Sequence, residues 1–309
     1  MGSKATRQSF GETIAELGSE YTNIVVIDAD LRKSTMTGIF ASRFPDRSFD
    51  IGIAEGNLVG IGAGLALSGK VPFICSFACF LVGRYEQIRM SIAYTDANVK
   101  VVGTHSGIGI GEDGYSQMGV EDIATLRSLP NFIIIQPADD IETKKATQFL
   151  VTHTGPAYFR LTRQKLPDIF DTNYQFQFGK GVLLRDGSDV TILATGAVVS
   201  NALQAGEELS KKGIHARVIN IHTIKPIDEE LIIKCARETG KVVTVEDHSV
   251  IGGLGSAVCE VLSEQYPVKV KRIGVEKFGE SGEYKELYEK YGLSAGRITK
   301  AVETFLKEK

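Results

Sequence analysis

One carboxylate, Glu55, stands alone among Ile53, Ala54, Gly56, Leu58 and Val59, and the run of small and apolar residues continues to Leu67 almost without charge. Burying a carboxylate is costly unless something compensates it. Glu55 is therefore either a first-turn carboxylate favoured by a helix dipole or a carboxyl group held in an apolar pocket to share a proton. Two phenylalanines, Phe77 and Phe80, come next. His105 and Asp113 then share one glycine-rich stretch, HSGIGIGEDGYSQMG, over 105–119. Arg7, Arg160 and Arg163 stand at the ends of predicted elements. This set suits a flat heteroaromatic group held on phenyl rings, protonated by a glutamate, beside an arginine-lined phosphate pocket.

Other chemistries leave no trace. There is no GxSxG elbow for a nucleophilic serine and no GxxxxGK[ST] loop for a nucleotide. The five histidines, at 105, 153, 215, 222 and 248, lack HxxxH spacing, and no cysteine pair has a histidine or a second pair nearby, so no metal site is expected. The four cysteines read as free thiols of a reducing cytoplasm. A net charge of −3 gives no general attraction for nucleic acid or anionic membrane, so any phosphate binding must be local. Gly69, Lys70 and Pro72 break the apolar region 58–81 into helix, turn and strand rather than a membrane span, and MGSKATRQSF has no apolar core of a signal peptide.

Several motifs have bland readings. GIGIGEDG alone matches many unrelated folds. Thr195-Gly196-Ala197 and the glycines at 252, 253 and 255 read as helix starts and close backbone packing. Glu246, Asp247 and His248 follow a strand and read as structural, with an interface role as the alternative.

The elements that must position these residues alternate. Apolar periodicity predicts helices over 6–17, 56–67, 80–94, 121–129 and 139–153, the last capped by Asp139 or Asp140. The 80–94 helix would bury Ile88, Met90 and Ile92. Strands are predicted over 23–27, 49–53, 71–75, 99–104, 132–136 and 157–161. Asp28 and Asp30 end the first of these, where open α/β sheets place ligands. The stretch 166–179, LPDIFDTNYQFQFG, breaks the rhythm and reads as a linker. Alternation then resumes, ending on a helix capped by Ser294 with Ile298, Val302 and Phe305 on its buried stripe. The expected fold is α/β, with two doubly wound domains: a mainly parallel sheet over 1–165, the linker over 166–179, and a smaller α/β domain over 180–309.

Taken in order, the fragments resemble the C-terminal half of a transketolase almost end to end. They are ATR at 5–7, DADLRKS at 28–34, DIGIAEGN at 50–57, SFACF at 76–80 and THSGIGIGEDG at 104–114, then RSLPN at 127–131, QPAD at 136–139, RLTRQKLP at 160–167 and VEDHSVIGGLG at 245–255. The resemblance implies a thiamine diphosphate- and Mg²⁺-dependent transfer of a two-carbon ketol unit between sugar phosphates. It places Glu55 at the aminopyrimidine ring nitrogen, with Phe77 and Phe80 packed on that ring. His105 joins Glu55 in the catalytic set and, with Asp113, meets substrate hydroxyls. Asp30 and Ser34 come near the sugar, and Arg7 and Arg163 bind its terminal phosphate.

The chain departs from the family at two positions. The family often has histidine where Gln117 stands, and glutamine can bond a hydroxyl but cannot take up a proton. Gly83 replaces a common aromatic or arginine. The GDG motif, with which the family binds diphosphate and metal, is missing from this sequence. The expectation is therefore a C-terminal subunit acting with an N-terminal partner that carries the diphosphate and Mg²⁺ ligands, with two copies of each chain. The alternatives within the same chemistry are a 1-deoxyxylulose-5-phosphate synthase-like enzyme or a 2-oxoacid dehydrogenase β-type subunit. A non-catalytic interaction subunit is the alternative of another class. His105 with the EDG loop, and TRQKLP, favour transketolase.

Overall fold

The structure is a computed structural model that describes residues 3–308. Its first half carries the strands β1 (Ser3–Ala5), β2 (Ile24–Asp28), β3 (Ser48–Asp50), β4 (Val71–Phe77), β5 (Lys100–Thr104), β6 (Ile133–Ile135), β7 (Ala157–Arg160) and β8 (Lys165–Pro167). The second half carries β9 (Val182–Arg185), β10 (Val190–Ala194), β11 (Ala216–Asn220), β12 (Thr223–Lys225), β13 (Lys241–Ser249) and β14 (Lys269–Val275). β2, β4 and β5 are buried along their whole length, as apolar strands covered on both faces must be.

Beside the antiparallel pair β1–β8, two larger sheets form, each parallel but for one antiparallel edge strand. The first has the order β12-β6-β7-β5-β4-β2-β3, and the second β14-β13-β10-β11-β9. Helices and buried apolar side chains cover both faces of each sheet. The expected pair of α/β domains is thus present, the second with the smaller sheet. The second half also lends β12 to the first sheet, where Thr223 pairs with Ile135.

The stretch after β8 is stitched down rather than loose. Asp139 caps the helix Asp140–Thr152 by accepting from the backbone of Glu142, and its other oxygen accepts from Ile169 and Phe170 at 2.7 and 2.8 Å. Phe176 and Phe178 then pack on Phe149 of the same helix.

Three local readings need correction. The strand predicted over 49–53 stops at Asp50, because Oδ1 of Asp50 accepts from the backbone of Asp30 and Gly52, and Gly52 turns away with φ +74°. Ile53 is left 83% exposed. The single helix predicted over 80–94 is three pieces, Ala78–Val82, Tyr85–Gln87 and the wide-turned Ile88–Ala93. Arg84 leaves helical geometry after Gly83, and the last piece closes bonds five residues apart, from Tyr94 N–H to the Arg89 carbonyl. The wider turn keeps Ile88 and Ile92 inside but turns Met90 out, to 42% exposure.

Candidate active site

Register brings the chemistry to one edge. In the parallel sheet Asp28 lies opposite Cys75, Phe77 opposite Thr104 and Gly103 opposite Arg160. The segments after β2, β4, β5 and β7 therefore all leave from the carboxyl edge, where parallel sheets gather ligand-binding residues. Because Phe77 and Thr104 are partners, the next residue, His105, lies on the Phe77 ring, with centroids 3.7 Å apart and planes 24° apart. Phe80, one turn into the helix that follows β4, stacks on Phe77 at 5.4 Å and 9°.

Glu55 opens the helix Glu55–Leu67 and is buried, 7% exposed. Its carboxylate accepts one hydrogen bond among the described residues, 3.2 Å from Ser76 Oγ. Ser76 and Phe77 end β4, so the carboxylate and the stacked rings meet at the same carboxyl edge of the sheet.

Two further segments converge on His105. Asp28, buried at the end of β2, accepts from the Leu31 backbone and from the hydroxyls of Thr35 and Thr37. That fixes the turn carrying Ser34. The helix Thr6–Leu17 is tied to the chain after β7, since Thr6 Oγ1 accepts from Thr162 N–H at 2.7 Å while Ala5 pairs with Lys165. Arg7 and Arg163 are thereby brought together. Nη1 of Arg7 donates to the Ser34 carbonyl at 2.5 Å and meets His105 Nε2 at 3.1 Å, and Arg163 donates to the Ile110 carbonyl at 2.6 Å. Arg7, Arg163 and Lys165 with Glu112 and Glu283 line a cavity of about 460 Å³, floored by the backbone of Gly109 to Gly111. A larger one, about 720 Å³ beside β9 and β11, holds charges that already pair, Arg217 with Asp186 and Glu238.

The electrostatics fit an anion. Burial and then the neighbouring Arg163 lower the pKa of Arg7, while Asp113 opposes them. Nε of Arg7 is buried without a hydrogen-bond partner among the described residues. His105 is lowered to about 3 by burial, then by Arg7 and Arg163, so its ring is neutral at ordinary pH. A guanidinium can only donate, so Nε2 accepts and Nδ1 carries the proton, which it gives to Thr104 Oγ1 at 2.9 Å.

Glu55, Phe77, Phe80, His105, Arg7, Ser34 and Arg163 thus form one continuous constellation. Asp30, Asp113 and Gln117 are less tightly gathered. Asp30 and Asp113 are exposed, and Asp30 is turned by φ +61° with its N–H on Asp50. Gln117 is half-buried in a short turn beyond Gly114. Arg160 is not a ligand group. It is fully buried and paired at 2.7 and 3.0 Å with Asp122. Ser76 and Thr104 were legible only as fragments of longer motifs, since a single hydroxyl has no spacing of its own.

Comparison with known proteins agrees with this geometry. The family model described as transketolase, pyrimidine binding domain, matches residues 2–168, and that of the transketolase C-terminal domain matches 179–298. A putative transketolase C-terminal section of Methanocaldococcus jannaschii is 47% identical, over 97% of this chain and 95% of its own. The 6-deoxy-6-sulfo-D-fructose transketolase subunit SqwH of Clostridium sp. strain MSTE9 is 43% identical, over 96% and 92%. A solved structure titled split gene transketolase, inactive beta4 tetramer, superposes with a TM-score of 0.91 at 46% identity, covering 98% of both chains. The chain belongs to the transketolase family, carrying its pyrimidine-binding domain followed by its C-terminal domain, as the C-terminal subunit of a split transketolase.

Proposed function

We propose that this chain forms the pyrimidine-gripping and sugar-binding walls of a two-chain transketolase, and that a partner chain holds the diphosphate and Mg²⁺. The observation that carries the proposal is the placement of buried Glu55 and the stacked Phe77–Phe80 pair at one end of β4. The fit to thiamine diphosphate covers one end of the cofactor. The phenyl rings suit the flat pyrimidine, and the Glu55 carboxylate, with one hydrogen bond used, has lone pairs left for a ring nitrogen. Among the described residues no three His, Cys, Asp or Glu side chains lie together as a metal site. Thiamine diphosphate, when bound, supplies the carbon nucleophile and the electron sink for the two-carbon unit. Glu55 holds and returns a proton at the pyrimidine edge. His105 is neutral, and its Nε2 lone pair, held by Arg7 in the free chain, passes to a substrate hydroxyl when Arg7 turns to the anionic end of the substrate; Asp113, Asp30, Ser34 and Gln117 flank the sugar. Arg7 and Arg163 hold the anionic end of the substrate, a phosphate or, as the name of the Clostridium relative suggests, a sulfonate.

The helix Glu55–Leu67 leaves Asn57, Gly60, Gly64 and Leu67 exposed, and Ile53 and Tyr94 are 83% and 81% exposed. We assign this uncharged face to association with the partner and with a second copy, two of each chain in all. No helix among the described residues is long and apolar enough to cross a membrane, and we place the assembly in the cytoplasm. Titration calorimetry tests the reading. The chain alone is expected to bind thiamine diphosphate and Mg²⁺ weakly and to transfer no ketol unit, and addition of the N-terminal subunit is expected to restore both. Tight binding and turnover by this chain alone would overturn it.

A further inference from the structure

Asp247 belongs to the second domain, yet its carboxylate is spent on the first. It lies near the end of β13, fully buried, and reaches the glycine-rich loop after β5. Oδ1 accepts from Ile108 N–H at 2.8 Å, and Oδ2 accepts from Gly109 N–H at 3.3 Å and from the Tyr288 hydroxyl at 2.7 Å. Any side chain at Gly107 would run into this carboxylate, and that residue also has φ +77°, so glycine is required twice over. Ile108 and Ile110 are themselves buried in the core of the second domain, which thus holds the loop by packing as well as by hydrogen bonds.

Both ends of the held segment lead to the arginines that line the cavity. His105, which meets Arg7, lies three residues before Ile108. On the other side the Ile110 carbonyl accepts from Arg163. A second path closes the ring, because Tyr288 accepts from Gln164 Nε2 at 2.9 Å and Gln164 is the neighbour of Arg163. Arg160 braces the same junction, donating to the carbonyls of Gly119 and Asp247 at 2.8 and 3.0 Å.

We propose that Asp247 is a positioning residue of the transketolase reaction: from the second domain it sets the loop backbone that aims Arg163 and His105 at the substrate. The inference rests on the sugar-binding role given above to Arg7, His105 and Arg163. All three groups bonded to the carboxylate are donors. Asparagine keeps the shape but turns an NH₂ group on at least one of them, so Asp247→Asn loosens the loop without opening a cavity. Tyr288→Phe cuts only the path through Gln164.

The test uses the assembled enzyme, with its partner subunit, thiamine diphosphate and Mg²⁺. Asp247→Asn is expected to raise KM about 10-fold for a ketose with a phosphate terminus and less than about 3-fold for the unphosphorylated ketose, with kcat changed little. Amide hydrogen exchange of the isolated chain is expected to speed up at Ile108 and Gly109 while the strands keep their protection. Tyr288→Phe is expected to move KM in the same direction by about 3-fold, and it serves if Asp247→Asn does not fold. Arg163→Ala is the control. If it discriminates the two sugars and the Asp247 and Tyr288 variants do not, only this inference fails. If Arg163→Ala itself affects both sugars alike, the assignment of the cavity fails and the inference with it.

Discussion

Two buried carboxylates, Glu55 and Asp122, live under opposite conditions. Asp122 accepts the bidentate guanidinium of Arg160 and the Tyr158 hydroxyl at 2.6 Å, and pair and partner are both sealed from solvent. Burial pushes its carboxyl up, but Arg160 more than cancels this and holds it below the usual carboxylate range. Glu55 is nearly as buried but, among the described residues, bonds only Ser76. A carboxylate with both oxygens taken by buried donors holds a fold together and offers little to a ligand. One left short of partners is a poor brace, and that shortage keeps it available to a substrate or cofactor.

Mutation should separate the two. Asp122→Ala leaves the Arg160 charge buried and unpaired, and the expected loss is about 3–5 kcal/mol of stability, read as a lowered urea midpoint. A stable Asp122→Ala protein would break the contrast. Glu55→Gln should do the reverse, costing at least about 10²-fold in turnover of the assembled enzyme while leaving the melting temperature in place. Near-normal turnover at saturating cofactor would remove Glu55 from the reaction.

Arg163 lies between these extremes, half-buried and, among the described residues, bonded to a single carbonyl. Arg163→Ala should weaken substrates with a phosphate or sulfonate end by roughly 10- to 150-fold, about 1.5–3 kcal/mol, and spare the uncharged ketose. An equal effect on all three would class it with Asp122. The smallest effect concerns His105. Its pKa is held at about 3 in the fold, against about 6.5 when unfolded. At pH values between these, the unfolded chain binds a proton that the folded one refuses, so stability falls as pH drops from about 6.5 toward 3. His222 and His248, both lowered by burial to about 4, act in the same direction. Replacing His105 by glutamine should reduce the loss between pH 7 and pH 5 by about 1–2 kcal/mol, measured from denaturation midpoints at the two pH values. An unchanged pH dependence would mean that His105 is protonated in the folded chain.

The two carboxylates also differ in how far they could be read in advance. Glu55 was legible because a lone charge in an uncharged run conflicts with its neighbours, and local conflict marks sites. Asp122 sits in an ordinary polar helix start, and Arg160 was grouped with the ligand arginines because a sequence does not show which arginine finds a buried partner. The parallel sheets followed from alternation and apolar runs, and Phe77, Phe80 and His105 followed from position after strands. Ile53 and Met90 were misplaced because periodicity counts residues and misses a wide turn or a glycine bend. Asp247 read as structural because its use depends on a contact across 139 residues of chain.

β12 has a consequence for how such a chain is made and cut. The first sheet has no partner for the outer edge of β6 until Thr223–Lys225 has been synthesised, roughly ninety residues after Ile135. At ordinary ribosome speed that takes on the order of 5–20 s, during which the nascent first domain shows a bare strand edge that other chains could join. A gene divided between the two domains would make that exposure permanent. Because β12 and β6 lie on one polypeptide, the first sheet completes its hydrogen bonding within this chain once the second domain has been made.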